Sequence, residues 1–371
     1  MRAVLSLSII TVLTSAPCFS EWESTTGGPS VRYGILSLAL DPHDPSTLYA
    51  GDDDGGFFRS VDRGDSWETI WEPESDGGEF RSIIWSIAAD PHNPGVLYVV
   101  SGGNVFHSAD GGSTLEQLES VTDVLHLHID ALVPGTMYAE SRNGLLKSTD
   151  SGQSWRDVSP GYGISYGSLG ISPHDSNTLY VGASSEHFNG GDPATWPNDV
   201  SVLTSADGGA SWMDLSDEIP STTAYVLSIA VSPATPQVLY AGGWDGREGR
   251  RLGIVFKSAD AGLSWTEIFR VDDGSFRTVA VDPYDADVVY VGSMGKVSDP
   301  ATFSSRDGGL TWSRLPVGGP SIIIVDPLDN NTIYAAIRER GAGVYRLSLD
   351  GLSTSVQMLS WGAIKAISTE R

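Results

Sequence analysis

One phrase returns along the whole chain, and its return decides what the chain can fold into. Ser60-Val-Asp62-Arg-Gly64-Asp-Ser66-Trp67 recurs from Ser148 to Trp155, Ser205 to Trp212, Ser258 to Trp265 and Ser305 to Trp312. A sixth copy, Ser108 to Leu115, has lost its Trp, and a seventh, Ser348-Leu-Asp350-Gly351, is decayed. The seven aspartates are 48, 40, 57, 53, 47 and 43 residues apart. A second phrase keeps step with the first. An apolar run ends in a turn such as Asp41-Pro42-His43-Asp44-Pro45 or Asp326-Pro327-Leu328-Asp329. A short strand follows, centred on Tyr49, Tyr98, Tyr138, Tyr180, Tyr240, Tyr290 or Tyr334. Four short strands in each of seven units of about 40–50 residues predict an all-β chain, a seven-bladed β-propeller with no helical domain.

These repeats resemble the Asp-box, or bacterial neuraminidase repeat, superfamily of propellers. Its relatives include sialidases, xyloglucanases, sortilin-type receptors and a photosystem II assembly factor. The resemblance implies that each box joins the third and fourth strands of a blade, on the face away from any active site. The residues agree with a structural role. An Asp followed by Gly between two strands suits a hairpin, where the carboxylate accepts from turn N–H groups and Gly supplies positive φ. The Trp is a bulky anchor between neighbouring sheets. His43, His92 and His174 occupy Asp-Pro turns and read as turn residues by the same logic.

The chain's ends and charge narrow the setting. Met1-Arg2, the mostly apolar run from Ala3 to Ala16 and the small residues flanking Phe19 read as a signal peptide over residues 1–20, cleaved before Glu21. Residues 21–371 then form a single propeller, secreted or periplasmic, and the one cysteine, Cys18, leaves with the signal. The alternative, acylation of Cys18, fits poorly behind Pro17. No later run is long and apolar enough for a membrane helix, so no membrane insertion is expected. With 47 acidic against 22 basic side chains the formal charge is −25, which argues against nucleic acid as a partner. Nothing in the sequence calls for a cofactor.

With the boxes on one face, function is expected on the other, in the loops that follow each Tyr strand and each Trp strand. The largest loop runs from Gly182 to Asp199 and carries Trp196; another carries Trp244 and Asp245. Indole rings at Trp196 and Trp244 would suit stacking on sugar rings. Trp71 and Trp85 fall beside the same face. Arg32, Arg81 and Arg277 each enter an innermost strand and are candidates to meet a carboxylate or sulfate at the central opening. Local pairing with loop acids is the plainer reading of them.

One segment is more specific. Tyr49-Ala-Gly-Asp52-Asp53-Asp54-Gly-Gly-Phe-Phe-Arg59 looks like the first-blade motif of xyloglucanases, whose catalytic base falls on Asp53. Glycoside hydrolysis needs two carboxylates. The resemblance implies a second one from another propeller, so here it would be a loop acid such as Asp245 or come from a second subunit. Asp52 to Asp54 would equally suit a calcium ion or a solvated turn. In the third repeat His126 and His128 replace the small residues found elsewhere, with Asp130 next on that face; a metal in the pore and a packed pair are the two readings. The first expectation is therefore an exported recognition protein that binds a glycan or protein ligand on its loop face. The alternatives are a xyloglucanase-like glycoside hydrolase and a non-catalytic assembly factor or receptor.

Overall fold

A computed structural model describes residues 34–71, 83–161, 167–183, 201–215, 218–221, 224–246, 251–294, 300–315, 318–338, 342–349 and 356–358. Each sequence repeat becomes one antiparallel sheet of four strands, and there are seven such sheets. Blade 1 is typical: Ile35–Leu40, Leu48–Asp52, Phe57–Ser60 and Glu68–Trp71 pair in order. The first strands of neighbouring blades contact each other around most of the ring, blade 7 to blade 1 included. The Tyr strands come second and are buried throughout in blades 2, 3 and 7, whereas the fourth strands are the most exposed.

The core lies in the seams between sheets. Ile35, Leu48 and Phe58 of blade 1 pack with Tyr334, Ala336 and Val344 of blade 7, and the other seams repeat the pattern. Each buried side chain of this size contributes about 1.5–3 kcal/mol. Polar stitches run along the same seams. The Tyr180 hydroxyl donates to the Ala261 carbonyl at 3.2 Å and Tyr240 to Ala286 at 2.8 Å. The histidines of the Asp-Pro turns also cross between blades: Nε2 of His43, His92 and His174 donates to the carbonyls of Asp90, Asp130 and Pro233. They are blade-to-blade links, which reading them as turn residues did not anticipate.

The Asp turns are hairpin scaffolds. In the first, the Ser60 hydroxyl donates to Asp62 Oδ1 at 2.8 Å, and the Ser66 N–H and hydroxyl donate to the two carboxylate oxygens. The Gly64 N–H closes the turn on Ser60 Oγ, and the Trp67 indole donates to the Gly64 carbonyl. The turn at Asp110 keeps this network although its Trp is gone. Two successive residues take positive φ, and the second is always Gly, near 90°. Added bulk would also strike the preceding blade there: a Cβ at Gly309 would lie 2.5 Å from Ile268.

The sequence offers two segments to complete blade 7, Glu21-Trp22-Glu23, slightly favoured, and the C-terminal stretch Ser353 to Ser360. The fourth strand of blade 7 is Val356–Met358, which pairs with Tyr345 to Leu347. It comes from the C-terminal stretch rather than from Glu21-Trp22-Glu23, which lies outside the described residues. Every sheet is thus built from one continuous stretch, and the ring closes by side-chain packing. Ser321 Oγ donates to the Ile35 carbonyl at 2.9 Å, and Arg346 donates to the Arg63 carbonyl and Asp65 Oδ1.

Candidate functional site

The face opposite the Asp turns carries the turn that follows each Tyr strand. In blade 1 that turn holds Asp53. Asp52, the last residue of its strand, turns its carboxylate inward: Oδ1 accepts the N–H of Asp54 at 3.0 Å and of Gly56 at 2.6 Å. The turn is rigid as a result, and Asp53 is fixed by its own N–H, which donates to the Gly34 carbonyl at 3.3 Å. The Asp53 side chain is only 8% exposed. Its Oδ1 is buried with no hydrogen-bond partner among the described residues, and Oδ2 lies 4.0 Å from Arg338 Nε. Burial raises the Asp53 pKa and pushes Asp52 up to about 6. Like charges in the Asp52–Asp54 run add to the rise, but burial is the larger cause. Among the described residues no three His, Cys, Asp or Glu side chains form a group that could hold a metal ion.

Arg277 reaches the same face by a backbone device. The innermost strand of blade 6, Ser275–Val281, slips register between Phe276 and Thr278, which makes Arg277 the extra residue of a β-bulge. Leu36, Trp85, Leu227 and Ser321 sit at matching bulges in blades 1, 2, 5 and 7. A bulge re-aims its side chain, and Arg277 is the one cation among these five residues. It is exposed to solvent. Burial, then the charges of Arg251 and Arg338, hold its pKa below the ordinary guanidinium value.

Trp244 is arranged differently from a sugar platform. It faces Tyr225 across the strand pair, with ring centroids 4.1 Å apart and planes 11° from parallel. The Arg251 guanidinium lies 4.4 Å from the same indole centroid. Two groups that close to one centroid must occupy opposite faces, so the indole is sandwiched. Its job in this structure is to hold Arg251. Asp245, beside it, is fully buried and accepts from the Ser221 hydroxyl at 3.3 Å. It stands in blade 5, two blades away from blade 7 and three from Asp53 around the ring.

A continuous strip results: Asp53 in blade 1, Arg338 in blade 7, Arg277 in blade 6, then Arg251 on Trp244 in blade 5. Of the residues singled out from sequence, the structure brings Asp53, Arg277 and Trp244 onto this strip. Arg32, Arg81 and Trp196 lie outside the described residues. Trp71 packs against Phe106 at the seam of blades 1 and 2. Arg338 and Arg251 were legible only as loop arginines, yet a signal existed. Counting four residues past the repeat Tyr gives Asp53, Trp244 and Arg338 in blades 1, 5 and 7.

The same register exposes a second missed residue. Blades 1, 4, 5 and 6 read Tyr-x-Gly at Gly51, Gly182, Gly242 and Gly292, where a Cβ would lie 2.4–2.7 Å from the next blade. Blade 3 puts Glu140 in that slot, fully buried and paired across the strands with His126. Glu140 accepts from His128 Nε2 at 3.2 Å, from the Leu169 N–H at 2.9 Å and from the Gly167 N–H. His128 therefore serves a carboxylate at the seam of blades 3 and 4, with His126 opposite it in the strand pair. Asp130 is engaged elsewhere, accepting from Leu132, Val133 and Ser176.

No family model matches the chain. It is 27% identical over 317 residues to a xyloglucanase from Paenibacillus sp, covering 76% of this chain and 26% of that protein. It is 26% identical over 323 residues to xyloglucanase Xgh74A of Acetivibrio thermocellus, covering 76% and 32%. The chain thus spans about a third or less of these curated relatives. Among solved structures, the GH74 xyloglucanase from Xanthomonas campestris superposes with a TM-score of 0.68 at 19% identity, over 89% of this chain and 55% of that one. YCF48 bound to D1 peptide gives 0.59 at 14%, over 85% and 93%. These likenesses agree with the seven-bladed ring described above.

Proposed function

We propose that this chain acts on a β-glucan-type polysaccharide as a glycoside hydrolase of xyloglucanase-like kind, with Asp53 as one of the two carboxylates. The observation that carries the reading is Asp53 itself: a carboxyl group nearly out of water, its pKa raised by burial, one oxygen unpartnered, at the head of a strip on the loop face. A carboxyl group of raised pKa is the kind that passes a proton to or from a glycosidic oxygen or an attacking water near neutral pH. The likeness to xyloglucanases favours this reading over pure recognition, the first expectation from sequence. The repeats then belong to the Asp-box superfamily, and residues 1–20 export the chain.

Asp245 is a poor second carboxylate, because it is fully buried in blade 5. Asp52 is occupied in bracing the turn. The resemblance to xyloglucanases points instead to a carboxylate on another propeller surface placed over this face, which a second copy of the chain could supply. The test is release of reducing ends from xyloglucan, mixed-linkage glucan and cellulose, with binding measured on the same polysaccharides. Release from any of them supports the reading. Binding without release at any protein concentration would return the chain to the recognition class.

A further inference from the structure

We propose that Arg338 is the positioning residue of Asp53: it reaches from blade 7 across the seam that closes the ring and holds the carboxylate that blade 1 presents. The inference rests on the hydrolase reading above and deepens it, naming the group through which that carboxylate is held.

The two residues occupy the same place in neighbouring repeats. Each stands four positions past the repeat Tyr, Asp53 after Tyr49 and Arg338 after Tyr334. Asp53 immediately follows the second strand of blade 1, Leu48–Asp52, and Arg338 the second strand of blade 7, Thr332–Ile337. The other five repeats place Gly102, Arg142, Ser184, Trp244 and Met294 there. The step from blade 7 to blade 1 is thus the one that sets opposite charges side by side at this position. Nothing in the repeat itself requires the pair.

Gly34 fixes both backbones. It lies just before Ile35–Leu40, and its carbonyl accepts the Asp53 N–H at 3.3 Å. A Cβ on Gly34 would lie 2.0 Å from the Arg338 carbonyl oxygen and 2.1 Å from the Arg338 Cα. Only a residue without a side chain lets blade 7 come this close to the residue that anchors Asp53.

The side chains then meet. Asp53 Oδ2 lies 4.0 Å from Arg338 Nε, with the acid almost covered and the guanidinium half-exposed. The other oxygen, Oδ1, is buried with no hydrogen-bond partner among the described residues. An ionised carboxylate is costly in such a place unless a cation or donors answer it. The charged groups that act on Asp53 are Arg338 from blade 7 and Asp54 on its own turn, and Asp54 opposes ionisation. Burial is the largest influence and raises the pKa, while the Gly34 backbone and the Arg338 charge pull it back. Among the described residues Arg338 is therefore the side chain that favours the ionised form, which a group that takes and gives protons must reach in each turnover. A polysaccharide laid over the face would displace water from the pair and strengthen it.

The experiment follows the Asp53 carboxyl carbon by NMR through a pH titration, its resonance identified by its loss in Asp53→Asn, beside the pH profile of reducing-end release from xyloglucan. In Arg338→Gln the Asp53 titration and the limb of the profile that it governs should both move to higher pH, because an attraction that favours the charged form is gone. At the wild-type optimum kcat should fall roughly tenfold with KM within about twofold, the split expected of a group that acts through the carboxylate and not on the substrate. Arg338→Lys keeps a charge there and should restore most of the titration. Gly34→Ala, which drives Arg338 away, should act as Arg338→Gln does. Arg142→Gln, at the same register position in blade 3, should change neither reading. An unmoved Asp53 titration in Arg338→Gln would overturn the positioning role and leave the hydrolase reading intact. A shift that Arg338→Lys does not reverse would overturn the charge as its cause. A shift with no hydrolysis by the wild type would uphold the contact and overturn the hydrolase reading.

Discussion

Removing the Glu140 carboxylate isolates what the seam of blades 3 and 4 contributes. In Glu140→Ala the N–H groups of Gly167 and Leu169 and the ring N of His128 lose a fully buried acceptor. Each buried orphan costs about 1–3 kcal/mol, and breaking a buried charged pair about 3–5 kcal/mol. At about 0.7 kcal/mol per kelvin for a chain of this size, a loss of 3–5 kcal/mol lowers Tm by about 4–7 °C. Glu140→Gln should cost less. Its one carbonyl can replace Oε1, which serves His128 and Leu169, but its NH₂ then meets the Gly167 N–H, donor against donor, at about 1–3 kcal/mol. Scanning calorimetry across pH adds a second check. Interaction with His128 and the backbone donors, set against burial, leaves the Glu140 pKa below its ordinary value, and burial depresses that of His126. Both groups hold fewer protons folded than unfolded, so wild-type stability falls on acidification. The His126 share begins near pH 6.5 and the Glu140 share near pH 4.5, their unfolded values. Glu140→Gln should lose the lower step and keep the upper. An unchanged Tm in Glu140→Ala at neutral pH would show that the seam does not depend on this carboxylate.

Two further outcomes test the scaffold. The hydroxyl and N–H donors of the turns hold Asp150, Asp207 and Asp307 at about 2, so their contribution to stability is present above the ordinary carboxylate value of 3.8 and is lost as pH falls through the folded value; Asp207→Ala should lower Tm at pH 7 and leave ligand affinity unchanged. Trp265, nearly buried in the seam of blades 4 and 5, should cost about 3–5 kcal/mol as Trp265→Ala, read from a urea titration, with turnover of the folded fraction intact.

The architecture was legible because it is written seven times. Period, turn chemistry and a Tyr in step with each Asp leave one closed arrangement, and single decayed copies such as Leu115 do not disturb it. What the repeat could not settle lies where copies end or differ. Val356–Met358 is three residues of edge strand with nothing in its sequence to rank it above Glu21-Trp22-Glu23. Glu140 was readable in principle, since it fills a slot that is Gly in four other blades, but its meaning needed His126 and His128 aligned with it across the strands. The sandwiching of Trp244 depends on Tyr225, 19 positions earlier in sequence and opposite it only through pairing register. The bulge at Arg277 has no local signature beyond the register slip that it creates.

The central claim, that Asp53 is a working carboxylate of a glycan-degrading site, is tested most directly by comparing Asp53→Asn with the wild type on the best-bound β-glycan, reading affinity and reducing-end release side by side. The amide keeps the shape of a side chain whose Oδ1 has no hydrogen-bond partner among the described residues, so fold and affinity should persist. Release should fall on the order of 10²-fold or more, the usual worth of a general acid or base. Equal release by the two proteins, or none by the wild type from any β-glycan, would contradict the account.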